Sequence, residues 1–254
     1  MRYGISNLSI IPMRLEPSDA SEMTNQVLFG EQYKILDQRK KFSKIRLSHD
    51  NYEGWICNKQ LVEVQEDDYN NLLDSDKIFT ADLLDIVKSA SYQTIVLGSV
   101  LSDLKSSRFS LNNKEYIFEG LTNDNVDEKD KVIDNAMMYL NSPYLWGGRT
   151  PFGIDCSGFS QMVYRLNGVD LPRDAHEQAE VGTTLSFVEE SESGDLAFFD
   201  NNEGKIIHVG IILDSNSIIH ASGKVRIDKI DQQGIFNQNS GIHTHKLRLI
   251  KKII

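Results

Sequence analysis

The chain has 254 residues, and its 40% hydrophobic and 25% charged composition is that of an ordered globular protein, which excludes a disordered or low-complexity chain. Its formal charge of −10, from 37 acidic against 27 basic residues, repels polyanions and offers little counterion release, so neither nucleic acid nor anionic lipid is expected as a partner. The longest apolar runs, "KIIHVGIIL" and "YQTIVLGSVL", are too short to cross a bilayer as helices, and no internal repeat is visible.

The opening "MRYGISNLSIIPMRLEP" has no apolar core of the length a signal peptide needs, so a cytoplasmic location is expected, with export the alternative if the chain is a processed form. Residues 1–64 read as strands. "VLFGEQYKILDQ", "FSKIRLSHD" and "EGWICNKQLVEV" mix β-branched and aromatic residues with polar ones and are broken by Gly, Asp and Asn, the pattern of a small barrel or sandwich. After the acidic "VQEDDYNNLLDSD" a second β set follows, "QTIVLGSVL" and "FSLNNKEYIFEG". Here Asn112-Asn113 is predicted to form a hairpin turn because Asn tolerates positive φ. The expected division is a β module over 1–64, another over 65–124, and a different domain over 125–254.

In that last part "NVDEKDKVIDNAMMYL" places Val132, Ile133, Ala136, Met137 and Leu140 at helical spacing, with Asn125 and Glu128 as a capping box and a stop near Pro143. The Gly-rich "YLWGGRTPFGIDC" leads into a second helix. Phe159, Met162, Val163 and Leu166 form its apolar stripe, Asp155 is its predicted N-cap and Gly168 its C-terminal cap. The chain then returns to strands, "GDLAFFD", "KIIHVGIIL" and "SIIHAS", so helices precede an antiparallel sheet. Cys57 and Cys156 fall in different modules, which disfavours a disulfide.

Cys156 sits at the first turn of the second helix. A thiol there gains roughly 0.3–1 kcal/mol for its anion from the helix dipole, too little to activate it alone, so a base is required. His208 and His220 flank the turn "DSNS" between apolar strands. A hairpin there would place the two imidazoles nearly opposite each other, one holding the other as in a nucleophile–base–orienter set. Against this, a lone Cys is often a small buried hydrophobe and a strand His a core residue; Cys57, after Trp55-Ile56, is read as packing.

These residues lie in blocks that strongly resemble the NlpC-type family of papain-like cell-wall peptidases. The blocks are "PYLWGGRTPFGIDCSGFSQMVYRLNGVDLPRDAHEQAEVG", "GDLAFFD", "HVGIIL" and "IIHAS". The front half, by "SEMTNQVLFGE" and "NYEGWI", looks like tandem bacterial SH3b domains. The whole layout is similar to the γ-D-glutamyl-L-diamino acid endopeptidases of murein peptide recycling. The resemblance implies two small SH3-like β-barrels followed by an α+β papain-like catalytic domain. It implies no cofactor and no metal, and a monomer acting on a murein tripeptide or related peptide. Cys156 would be the nucleophile, His208 the base, His220 its orienter, and Tyr144 an oxyanion donor beside the Cys156 N–H. The free α-amino group of an N-terminal L-Ala would be met by Asp174 and Glu22, with Tyr52 a weaker candidate. Asp155 and Ser157 would line the D-Glu site, and Arg173 would offset the substrate carboxylate. Ala175 departs from the family pattern, where a Ser is expected.

Of the remaining histidines, "HTH" at 243–245, His49 and His176 are read as solvated residues, since no CxxC or HExxH partner accompanies them. Diaminopimelate and lysine stay equally open beyond the scissile bond. Two rival readings are a wall-binding protein or hydrolase of intact peptidoglycan, and an acyltransferase. The latter needs an apolar acyl groove that no run in the sequence supplies.

Overall fold

A computed structural model describes residues 1–123 and 129–254. The chain divides into two compact units, Met1–Val126 and Asp127–Ile254. The expected capping box of Asn125 and Glu128, and the expected boundary at 124/125, lie outside the described residues.

The N-terminal unit is built on seven strands. These are β1 (Arg2–Ile5), β2 (Ile10–Arg14), β3 (Met23–Leu28), β4 (Gln32–Gln38), β5 (Phe42–Leu47), β6 (Glu53–Cys57) and β7 (Glu63–Val64), paired in the order β3-β2-β6-β5-β4-β1-β7. The acidic stretch after them is a helix, α1 (Glu66–Asp74), whose first turn carries Glu66, Asp67 and Asp68 against the positive end of its dipole. Its Tyr69 is buried against Tyr3, with ring centroids 4.4 Å apart and planes tilted by 31°.

Beyond α1 lie β8 (Lys77–Thr80), β9 (Leu84–Lys88), β10 (Tyr92–Val96), β11 (Val100–Ser102), β12 (Arg108–Leu111), β13 (Lys114–Phe118) and β14 (Thr122–Asn123). They form a four-stranded sheet, β10-β9-β13-β12, and a three-stranded one, β11-β8-β14. Asn112 and Asn113 turn the β12–β13 hairpin at φ 51° and 59°, as their tolerance of positive φ predicts. Ile5 and Phe29 share one buried cluster with Tyr69, Val87, Ile95, Phe109 and Tyr116, so the two β sets are joined through a common core.

The C-terminal unit starts with α2 (Lys129–Met138), which buries Val132 and Ala136. Met137, expected on the apolar face, is 41% exposed. Five residues after Val132 it lies about 140° round the helix from it. A short hairpin, β15 (Arg149–Thr150) with β16 (Gly153–Ile154), leads into α3 (Cys156–Arg165). Every residue of α3 is buried, so it is a central helix; after it the chain turns at Gly168, φ 80°. After α4 (Ala175–Gln178) come β17 (Thr183–Leu185), β18 (Leu196–Asp200), β19 (Ile206–Asp214), β20 (Ser217–Ser222), β21 (Lys224–Asp231), β22 (Gly234–Asn237) and β23 (Ile242–Lys252).

Their order is β17-β23-β18-β19-β20-β21-β22, and β22 also pairs with β23, so six of these strands close into a barrel. Closure needs a close approach. Gly234 has φ 133°, and a Cβ there would lie 1.8 Å from the His245 carbonyl oxygen.

Candidate active site

Asp155 caps α3 through its side chain, which accepts from the Gly158 N–H at 2.7 Å and from the Gly147 N–H at 2.8 Å. Gly158 is needed here: a Cβ would lie 2.4 Å from the Gly148 carbonyl oxygen and 2.9 Å from the Asp155 carboxylate. Arg173 binds Asp155 with both terminal nitrogens, at 3.0 and 2.5 Å, and donates to Ser157 Oγ at 2.9 Å. Arg173 and Asp155 thus form a buried pair in which a bidentate fork is matched to a carboxylate.

The helix start thereby presents Cys156 at its first turn, 6% exposed. Its sulfur lies against the backbone N–H groups of Ser157 and of Val209, the residue after His208. Burial pushes the thiol up to about 12, with the Asp155 anion adding to it; the two N–H groups and Arg173 pull the other way.

His208 and His220 are brought together, but not as directly opposed residues. Gly210 is the partner of His220 across β19 and β20, so His208 sits diagonally, two residues along the strand on the same face. The rings are T-shaped, 5.1 Å apart, and His208 Nε2 is 2.9 Å from His220 Nδ1. His220 Nε2 is 3.1 Å from the Asp228 carboxylate on β21, which Arg226 also grips, Nε to Oδ2 at 2.7 Å. Burial alone would raise Asp228, but hydrogen bonds from His220 and Arg226 outweigh it and hold the carboxyl low. Its charge fixes the tautomers. His220 Nε2–H donates to Asp228, so His220 Nδ1 accepts from His208 Nε2–H, and His208 Nδ1 is left with its lone pair. Burial, then the neighbouring His220 and His245, hold His208 well below the ordinary imidazole range.

Tyr144, half-buried, is bound to the Gly223 carbonyl by its N–H at 3.0 Å. Burial raises its hydroxyl, with Cys156 and Asp155 the next contributors, which puts the phenol in the field of the thiol. Asp174 stands at the N-cap position of α4 and Ala175 is its first residue. Glu22 and Tyr52 belong to the N-terminal unit. Glu22 is exposed just before β3, and Tyr52 is partly buried against the Ile45–Leu47 cluster with its N–H on Asp50 Oδ1 at 2.9 Å.

The NlpC/P60 family pattern matches residues 141–243, and the bacterial dipeptidyl-peptidase SH3 domain matches residues 13–61. A γ-D-glutamyl-L-lysine dipeptidyl-peptidase of Bacillus cereus is 27% identical over 253 residues, covering 88% of this chain and 75% of that protein. A murein DD-endopeptidase/LD-carboxypeptidase of Escherichia coli K12 is 36% identical over 137 residues, 53% of this chain and 67% of that protein. The chain belongs to the NlpC/P60 family. The fold agrees: an NlpC/P60 family protein from Bacillus cereus superposes with a TM-score of 0.83 at 19% identity, over 98% of this chain and 99% of that one. The protein therefore combines an SH3-like domain with an NlpC/P60 cysteine peptidase domain.

Three residues of the peptidase domain beside the thiol and its histidines escaped the sequence reading. Asp228 and Arg226 lie in "KVRIDKID", where Asp228 is buried and Ile227 is 42% exposed, the reverse of the usual apolar-in alternation. That inversion is the signal that would have found Asp228. His245, expected to be solvated, stacks on His208 with centroids 4.2 Å apart and planes 26° apart. Burial lowers it to about 4. Its neighbour His243 is exposed and paired with Asp231 at 2.9 Å. One ring nitrogen from each of His208, His220 and His245 lies within 4.8 Å of the others.

Proposed function

We propose that this peptidase hydrolyses the γ-D-glutamyl-L-diamino acid bond of murein peptides that carry a free N-terminal L-Ala, in recycling of wall peptides within the cytoplasm. The observation that carries the chemistry is the Asp228–His220–His208 chain, which leaves a lone pair on His208 in the strand whose next N–H meets the Cys156 sulfur. The specificity is supported by the dipeptidyl-peptidase SH3 match and by a dipeptidyl-peptidase relative matched along 88% of the chain. The strands from Lys77 to Asn123 are read as a second SH3-like module.

In this reading His208 takes the Cys156 proton as the sulfur attacks the amide carbonyl. The S–C bond forms, and the oxyanion is met by the Tyr144 hydroxyl and the Cys156 N–H, a helix-start donor with no intrahelical partner. The C–N bond then breaks and the diamino acid leaves with the proton from His208. Water, deprotonated by His208, cleaves the thioester and restores the thiol. A substrate α-amino group is largely cationic at neutral pH, and Asp174 is the residue of the peptidase domain proposed to receive it. Ser157 and Asp155 line the γ-D-Glu side, with Arg173 holding both in place.

The Escherichia coli relative's name favours a second reading, hydrolysis of intact peptidoglycan. One experiment separates them. The protein and Cys156→Ala are incubated with L-Ala-γ-D-Glu-diaminopimelate, its L-Lys analogue, the N-acetylated peptide and intact sacculi, and products are followed by mass spectrometry. Cleavage of the free peptides only is expected. Equal cleavage of the acetylated peptide would remove the amine pocket, and release from sacculi alone would establish the second reading.

A further inference from the structure

The ring packed against His208 comes from the strand that closes the barrel. His245 pairs with Ile235 across β22 and β23, at the point where Gly234 lets the backbones meet. Its Nδ1 is 2.9 Å from Thr244 Oγ1, and its ring edges onto Phe199 at 6.0 Å and His220 at 5.6 Å. It is therefore held on several sides, and its face is stacked on His208 with the planes 26° apart.

Three clustered imidazoles invite a metal, but the ring planes decide otherwise. A transition metal lies in the plane of each ligating ring about 2.0–2.1 Å from nitrogen. Two stacked rings with centroids 4.2 Å apart and planes inclined by only 26° leave no point that lies in both planes at that bonding distance from a nitrogen of each. The arrangement is a stack, and a stack acts on orientation. The hydrogen bond to His220 fixes one corner of the His208 ring but leaves rotation about that bond. A flat neighbour removes this freedom.

We propose that His245 is a positioning residue for the peptidase reaction: its stacked ring keeps the His208 imidazole aligned towards Cys156. The proposal rests on His208 being the base. The titratable groups that act on His208 are His220 on β20, with Asp228 and Arg226 of β21 beyond, and His245 on β23; Cys156 on α3, with Asp155 and Arg173 behind it, meets the N–H of the next residue, Val209.

The test uses the full chain with His245→Ala, His245→Leu and His245→Phe, checking each for an unchanged thermal midpoint. Two readouts are taken: kcat and KM on the free tripeptide, and the pH dependence of Cys156 alkylation by iodoacetamide. His245→Ala is expected to lose about tenfold or more in kcat with KM unchanged, and to alkylate more slowly at neutral pH, because a misaligned base is a poorer one. His245→Phe, which restores a face without a ring nitrogen, recovers most of both; His245→Leu, which restores only volume, does not. Equal recovery by Leu and Phe, no effect of Ala, or a Phe variant as impaired as Ala would each overturn the proposal. So would inhibition by micromolar Zn2+ that His245→Phe abolishes, since the cluster would then be a ligand set. Hydrolysis by Cys156→Ala, or a wild-type alkylation profile in His208→Ala, would instead sink the assignment of thiol and base.

Discussion

His208 has two ring nitrogens, and a buried carboxylate two hydrogen bonds away decides which one is basic. Asp228→Asn keeps the shape but can present an N–H where His220 now donates, and the tautomers of both rings can then reverse. Its kcat is expected to fall about 10²- to 10⁴-fold, the range general acid–base catalysis contributes, while KM on the tripeptide changes little. The resting charge state follows from the same environment. The thiol is pushed up to about 12 and His208 is held well below its ordinary value, so the resting pair is neutral thiol and neutral imidazole. Activity needs His208 unprotonated, so lowering its pKa keeps the base available as pH falls through the usual imidazole range. The acid limb of kcat/KM is therefore expected well below pH 6.5, the ordinary imidazole value. An acid limb near that value in a pH–rate profile would show that the imidazole is solvated or paired with a preformed thiolate.

At the level of elements, α3 is made by contacts at its first turn. Asp155 caps it, Arg173 neutralises that cap, and Gly158 lets the Gly-rich loop lie on it. The Arg173 and Asp155 side chains are 1% and 6% exposed, so each charge depends on the other for solvation. Removing one member of such a pair typically costs about 3–5 kcal/mol, because the remaining charge stays buried. Arg173→Met is expected to lower unfolding stability by that order in chemical denaturation, and Arg173→Met with Asp155→Asn is expected to recover part of it. A single variant as stable as wild type would mean that water reaches Asp155. The β elements carry a different constraint. β23 spans the barrel seam, pairing with β22 by its first half and with β18 by its second, so one strand both closes the sheet and delivers His245.

Across the whole molecule, what could be read in the sequence is what depends on neighbours along the chain. Helix α3, its Asp cap and Gly168 were legible because capping is local, and so were the Asn112-Asn113 hairpin and the strands that carry His208 and His220. The shared core of the two β sets, the seam at β23 and the inverted strand around Asp228 were not, because each follows from closure between segments distant in sequence. The stacked histidines that closure creates also carry a cost in acid. His208 and His245 both have folded pKa values below the 6.5 of a free imidazole, His245 near 4. Above 6.5 both are neutral folded or unfolded and contribute no pH dependence. As pH falls below 6.5 the unfolded chain binds protons that the folded rings refuse, so stability declines between 6.5 and about 4 and, for His208, beyond. Asp228, held low, keeps its charge through that window and gives up its share only further down. Calorimetric midpoints are therefore expected to drop between about pH 7 and pH 4.5, with a shallower drop in His245→Phe, which has no ring nitrogen to protonate at that position. Parallel slopes for the two proteins would show that His245 takes up its proton as readily folded as unfolded, and that the stack opens to water before the domain unfolds.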